Sequence, residues 1–109
     1  FLLSPISPEH GGVRFLYGDV SGSRQLALGF SIVPIMEQRV GTAFGFSDHD
    51  SVLYGEGGLE DAVWRALTMP EEEFMRVRGR LAALGHSLRD ASLKNLAQTM
   101  DRTSRDVAP

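Results

Sequence analysis

The sequence predicts an α/β fold with a parallel sheet of about three strands and a helical C-terminal half. Over residues 1–58, short apolar runs alternate with loops and a helical pattern, which is typical of parallel sheets. Over residues 59–100, apolar side chains recur only at helical spacing. A sheet of this size is marginal on its own. We therefore expect one α/β domain over residues 1–109, belonging to a larger protein in which a second domain or chain completes the sheet.

The composition excludes several classes of function. The formal net charge is −3, which gives no electrostatic support for nucleic acid as a partner. The chain has no cysteine, so disulfides, thiolate catalysis and cysteine ligation of zinc are excluded, and a cytoplasmic location is predicted. No apolar run approaches the roughly 20 residues of a membrane-spanning helix, so no transmembrane segment is expected.

The segment 21–35 carries the central prediction. Ser21 and Ser23 can cap a helix start, because a hydroxyl there accepts a hydrogen bond from an orphan backbone N–H. Gly29 suits the position just past the helix end, and the apolar run 30–35 predicts a strand buried on both faces. A small-residue turn that leads into a helix N-terminus is a physical anion site, although an ordinary capped helix fits the same pattern.

The remaining elements are assigned from periodicity and from glycine and proline positions. The first three residues are expected to end a buried strand, residues 4–12 to form a loop, and residues 13–17 to form either a strand or a helical turn. Residues 36–46 are predicted to form a loop and residues 51–54 a short strand. Three helices are predicted to follow, starting near Leu59, Glu71 and Ser87, with Gly85 ending the second of them.

Taken in order, these elements resemble the C-terminal half of the nucleotide-sugar-binding, Rossmann-like domain of GT-B-type glycosyltransferases. That family has a strand ending in Pro-Ser, a glycine-rich turn, a helix ending Glu-Ala-Met-Ala-x-Gly, an x-Pro-Val-Val strand, a short strand and a further helix. The similar segments here are Leu3-Ser4-Pro5, Gln25-Leu26-Ala27-Leu28-Gly29, Ile32-Val33-Pro34, Ser51-Val52-Leu53-Tyr54 and Gly58-Leu59-Glu60-Asp61. The order and spacing of the segments carry the resemblance, since no single motif among them is specific.

The resemblance implies that backbone N–H groups at the helix start hold the diphosphate of a nucleotide-sugar donor. The corresponding residues here are Gly18, Asp19, Ser21, Gly22 and Ser23. Many family members have two glutamates flanking this turn, one of which binds the ribose hydroxyls.

This chain departs from that glutamate pattern. It has Leu16 near the first of the two positions and Arg24 or Gln25 at the second. Arg24 can pair bidentately with a diphosphate, or it can be a solvated helix residue. Glu37, which follows the predicted strand, can accept a sugar or ribose hydroxyl, or it can be a surface carboxylate.

Two further places carry candidate chemistry. His10 lies in a loop beyond a predicted strand, where ligands of open α/β sheets bind, and it is a candidate base or donor as well as an ordinary loop residue. Asp48 and Asp50 have the Asp-x-Asp form that holds a divalent cation in the GT-A class of glycosyltransferases, although a capped turn explains them equally. We expect no metal site and no cofactor.

Two functions from different classes follow. The resemblance implies a glycosyltransferase-like domain that binds a nucleotide-activated sugar, with hexosyl transfer as the reaction and this chain as only part of the enzyme. The alternative is a non-catalytic α/β module that binds a partner chain through its C-terminal helices.

Overall fold

The predicted α/β fold, with three parallel strands and a helical C-terminal half, is confirmed. The structure is a computed structural model that describes residues 1–4 and 22–107. The strands form one sheet in the order β1-β2-β3, and both pairings are parallel. The elements are β1 (Leu2–Ser4), α1 (Gly22–Phe30), β2 (Pro34–Glu37), α2 (Gln38–Ala43), β3 (Val52–Tyr54), α3 (Leu59–Leu67) and α4 (Glu71–Val107).

Strand β2 is the centre of the sheet, and all four of its residues are buried. The strand register brings the carboxyl ends of the three strands to one side of the sheet, with Ser4 opposite Met36 and Glu37 opposite Tyr54. We call this side, where β1 ends at Ser4, β2 at Glu37 and β3 at Tyr54, the carboxyl edge. The side where the strands begin is the amino edge.

The end of α1 corrects the predicted helix stop. Gly29 lies inside α1 and not beyond it, and the left-handed residue is Ser31, with φ of 52°. The backbone N–H of Ile32 donates to the carbonyl of Ala27 at 3.2 Å, the closing bond of a Schellman motif. Burial sets this geometry, because Ala27 and Val33 are both core residues, with 0% and 1% of their surface exposed. The strand therefore begins at Pro34 rather than at residue 30.

Helix α2 lies where the sequence predicted a loop. Its glycine is the residue that lets the helix lie against the sheet, since a Cβ at Gly41 would come within 2.5 Å of the Leu53 side chain. Val40 of the same helix is buried with 1% of its surface exposed. The short helix is therefore stabilised by its packing on β3 and by its N-cap. Neither contact can be read from the mixed polar and apolar residues of this segment.

Helix α4 is one continuous element of 37 residues where two helices were predicted. Gly85 does not end a helix; it is a buried residue of α4 whose Cβ, if present, would lie 3.0 Å from the carbonyl oxygen of Leu28 in α1. The glycine thus permits close approach of two helices, and its helix-stopping tendency is overridden by tertiary packing. Val77 and Leu81 bury the inner face of the same helix.

The second half of α4 extends away from the sheet. Every residue from 86 to 104 is exposed, and the longest dimension of the structure is 62 Å. A helix of this length spans about 55 Å at 1.5 Å per residue. Among the helices that the structure describes, none is both long and apolar enough to cross a membrane.

Candidate functional site

The predicted binding residues that the structure describes lie at the start of α1 and at the end of β2. Gly22 begins α1, and Ser23 and Arg24 lie in its first turn. The last turn of α1 leads through residues 31–33 into the amino end of β2, so the first turn of α1 faces the other side of the sheet. Glu37 ends β2 on that side. Four further predicted site residues lie outside the described residues: His10, Gly18, Asp19 and Ser21.

Arg24 ties the start of α1 to the end of α2. Its Nε donates to the backbone carbonyl of Phe44 at 3.0 Å, and its side chain is partly buried. Phe44 is the C-cap residue of α2, so the bond joins two helices whose bonded residues are 20 positions apart in the sequence. The alternative of a simply solvated helix residue is therefore wrong, while a contact of Arg24 with a diphosphate remains a prediction.

Glu37 is a buried carboxylate that accepts hydrogen bonds from the start of α2. Its Oε2 accepts the backbone N–H groups of Arg39 at 2.9 Å and Val40 at 3.1 Å, which makes Glu37 the N-cap of α2. Its Oε1 accepts Nε of Arg39 at 2.9 Å. Only 4% of Glu37 is exposed, so the surface-carboxylate alternative is wrong. A carboxylate offers about four acceptor sites, and Glu37 uses three of them within the chain.

Arg39 is a charged residue of this edge that was not among the predicted site residues. It forms an ion pair with Glu37, with 49% of its own side chain exposed and 6% of the Glu37 side chain exposed. The Arg39 side chain therefore contacts both the buried carboxylate of Glu37 and the solvent at the carboxyl edge. The sequence gives little signal for it, because glutamate is not among the favoured N-cap residues and the ion pair depends on the cap geometry.

Tyr54 is the second residue of this edge that was not predicted. It ends β3 opposite Glu37 in the strand register and is half-buried. Burial raises the pKa of the Tyr54 phenol above its ordinary value, and the negative charge of Glu37 raises the pKa further. A tyrosine phenol is protonated at neutral pH, so Tyr54 can donate a hydrogen bond at the carboxyl edge.

Asp48 and Asp50 lie on the other side of the sheet, before the start of β3. Asp50 is buried, and its carboxylate accepts the backbone N–H of Ser47 at 3.0 Å and the Ser47 hydroxyl at 3.4 Å. This geometry is the capped turn that the sequence offered as the alternative to a metal site. Within the part of the chain that the structure describes, no group of three or more His, Cys, Asp or Glu side chains could hold a metal ion.

A cleft of about 510 Å³ also opens at the amino edge. Its lining includes Ser51 and Val52 at the start of β3, together with Asp48 and Arg65. Arg65 uses its Nη2 to donate to the backbone carbonyl of Leu53 at 2.9 Å. The cleft and Glu37 therefore lie at opposite ends of the strands. We favour the carboxyl edge as the functional site, because ligands of open α/β sheets bind beyond the carboxyl ends of the strands.

Comparisons with protein-family models, with curated proteins and with solved structures find no match to this chain. Its function is therefore inferred from the fold and from the chemistry of the carboxyl edge.

Proposed function

We propose that this chain is the nucleotide-sugar-binding part of a GT-B-like glycosyltransferase and holds its donor at the carboxyl edge. Hexosyl transfer from the bound donor is the reaction that this proposal implies. A second domain or chain, in the cytoplasm, would complete the sheet and supply the acceptor site. The reaction itself needs groups beyond those described here, so the role proposed for this chain is donor binding.

One observation carries the proposal: Arg24 in the first turn of α1 bonds the C-cap of α2, the short helix whose N-cap is Glu37 at the end of β2 in an all-parallel sheet. The helix start supplies backbone N–H groups and the positive end of a helix dipole, both of which favour a phosphate. Glu37 and Tyr54 supply an acceptor and a donor at neighbouring strand ends, where hydroxyl groups of a ribose or a sugar can be bound. The two kinds of group match the two halves of a nucleotide sugar.

An amide-resolved NMR titration with UDP and GDP tests the proposal. We expect the largest shifts at Gly22, Ser23 and Arg24 and at the start of α2, because these groups border the edge. Shifts confined to Ser51 and Val52 would place the ligand in the cleft at the amino edge and would overturn the proposal. No shift at millimolar nucleotide would overturn it as well.

The second candidate function is binding of a partner chain through α4. Leu93, Leu96 and Met100 follow the i, i+3, i+7 spacing of one helix face, and between 55% and 62% of each side chain is exposed. Exposed apolar side chains that share a face favour an interaction site over a solvated helix. This observation is independent of the carboxyl edge, so the two functions can be tested separately.

Variants for this second function must avoid the core. Leu81 is completely buried. Phe74 is partly buried, and the centroid of its ring lies 5.3 Å from that of Phe1. A charge at either position would therefore unfold the domain. Leu96→Asp is the informative change, and Lys94→Asp, which has no apolar side chain to lose, is its control on the same helix. We expect Leu96→Asp, but not Lys94→Asp, to abolish association with the partner chain in sedimentation experiments. Equal association of the two variants with that partner would reject this function.

A further inference from the structure

We propose that the outer side of β1 is a self-association surface, where a second copy of this chain adds its own β1 to the sheet. The surface consists of the outer side of β1 and the neighbouring side of α1. We call it the β1 flank, and its residues are Leu3, Leu26 and Phe30. The two β1 strands run antiparallel about a two-fold axis and join two three-stranded sheets into one. The inference rests on the sheet edge and is independent of donor binding.

The strand register turns both backbone groups of Leu3 outward. The backbone N–H of Leu2 donates to the carbonyl of Val33 at 2.9 Å, and Leu2 lies opposite Pro34 in the register. Alternate residues of a parallel pair bond the neighbouring strand, so Leu2 and Ser4 bond β2, whereas the N–H and C=O of Leu3 point away from it. Neither group of Leu3 is bonded to another residue that the structure describes. The outer side of β1 therefore offers one donor and one acceptor to a further strand.

The other outer strand, β3, is protected. In β2 it is Ile35 that bonds β1, so Met36 bonds β3, and its register partner Leu53 has its carbonyl turned outward. Nη2 of Arg65 donates to that carbonyl at 2.9 Å. Only 9% of Leu53 is exposed, compared with 48% of Leu3. Charged side chains and covering elements are the usual protection of sheet edges, so the edge at which this sheet can continue is β1.

Helix α1 extends the apolar surface beside β1. Ala27 is buried against the sheet, and Arg24 reaches Phe44 at the end of α2, which packs on β2 and β3. Leu26 and Phe30 are one turn apart on the opposite side of α1, which is the side next to the outer edge of β1. They are exposed over 45% and 70% of their surface. Exposed apolar side chains grouped beside an open strand are typical of an interaction surface.

Two properties of the β1 flank favour a second copy of this chain as the occupant. The outward donor and acceptor belong to one residue, so two Leu3 residues facing each other across a two-fold axis exchange both bonds, as in an antiparallel ladder. A two-fold interface also brings each charge on its axis close to the same charge of the other copy, which is unfavourable. Within β1 and α1 the one charged side chain is Arg24, and it is directed towards α2. The flank is therefore self-complementary in its hydrogen bonds and brings no like charges together.

Sedimentation of the 109-residue chain from micromolar to millimolar concentration tests the inference. We expect a concentration-dependent dimer in which the Leu3 amide exchanges its hydrogen slowly. Leu3→Lys is the test variant, because it places two like charges opposite each other across the axis. It should weaken the dimer by about tenfold or more. Leu67→Lys, the same change at a position of α3 that is 72% exposed, is the control and should leave the dimer unchanged.

Leu3→Pro is a second variant that acts on the backbone. Proline removes the outward N–H, and an edge strand tolerates it where the N–H faces the solvent, so the bonds of β1 to β2 are kept. We expect this variant to keep the circular dichroism of the wild type and to lose the dimer. Should Leu3→Lys fail to fold, Leu3→Pro decides.

Three results would overturn the inference. The first is a wild-type chain that stays monomeric at millimolar concentration. The second is a dimer that both Leu3 variants leave intact. The third is a dimer that Leu96→Asp dissociates and Leu3→Lys does not, because association would then occur through α4.

Discussion

Glu37 and Tyr54 face each other across the ends of two parallel strands, and the charge of the first contributes to the raised pKa of the second. The carboxylate is held in place by the first turn of α2 and by Arg39. Burying an anion is costly unless hydrogen-bond donors around it stabilise it. Glu37, Arg39 and Tyr54 therefore form one group of interacting polar side chains at the carboxyl edge.

The raised pKa of Tyr54 makes stability depend on alkaline pH. The folded pKa lies above the ordinary value of 10.0, so the unfolded chain loses the phenol proton first as the pH rises. The stabilisation that Tyr54 contributes is fully present below pH 10.0. It is lost as the pH rises from 10.0 through the pKa of Tyr54 in the folded state. We expect urea unfolding to show a free energy that falls above this pH. In Tyr54→Phe the fall should be smaller, and an equal fall would contradict the burial of the phenol.

The Glu37 carboxylate should matter more for stability than an exposed carboxylate does. Glu37→Ala removes the N-cap of α2 and leaves Arg39 without its ion-pair partner. We expect the free energy of unfolding to fall by about 0.5–2 kcal/mol for the cap, with a further loss for the ion pair. The control is Glu56→Ala in the exposed turn after β3, which should change stability by less than about 0.5 kcal/mol. Similar values for both variants would show that the cap contributes nothing.

Two glycines of α4 should respond oppositely to alanine. A Cβ at Gly79 would meet open space, so Gly79→Ala should stabilise the helix by about 1 kcal/mol. A Cβ at Gly85 would meet the Leu28 carbonyl at 3.0 Å, so Gly85→Ala should push α1 away and cost about 1–3 kcal/mol. Urea unfolding of the two variants measures the difference. Stabilisation by both changes would contradict the close contact between α1 and α4.

Ser31 offers a stabilising change. Its φ of 52° is in the left-handed region, which costs a residue with a Cβ roughly 1–2 kcal/mol and costs glycine little. Because glycine also makes the unfolded chain more flexible, we expect Ser31→Gly to gain about 0.5–1 kcal/mol. Ser31→Ala keeps the Cβ and should gain nothing. A loss of stability in Ser31→Gly, measured by thermal unfolding, would mean that the Ser31 side chain stabilises this turn.

The fold class was predictable because alternating apolar runs and helical stripes are local properties of the sequence. The stop of α1 was not, since Gly29 and Ser31 compete for one left-handed position and the burial of Ala27 and Val33 decides between them. The prediction for Gly85 was wrong for the same reason: a helix-breaking tendency of about 1 kcal/mol is small beside the packing of two helices. Tertiary contacts decide both cases.

The candidate site was predictable in part. The positions of Arg24 and Glu37, near a helix start and at a strand end, could be read from the sequence, and their role in binding stays a prediction. Arg39 and Tyr54 were missed because their importance comes from contacts with Glu37, which requires the strand register and the cap geometry. A polar cluster assembled from two strands and a short helix has no continuous signature in the chain.

Binding of UDP or GDP to the wild-type chain, followed by amide shifts across residues 22–104, tests the central claim most directly. We expect saturable shifts at the start of α1 and around Glu37 and Arg39, with the cleft at the amino edge unaffected. Saturable shifts around Ser51 and Arg65 instead, or none at millimolar nucleotide on a folded protein, would contradict donor binding at the carboxyl edge.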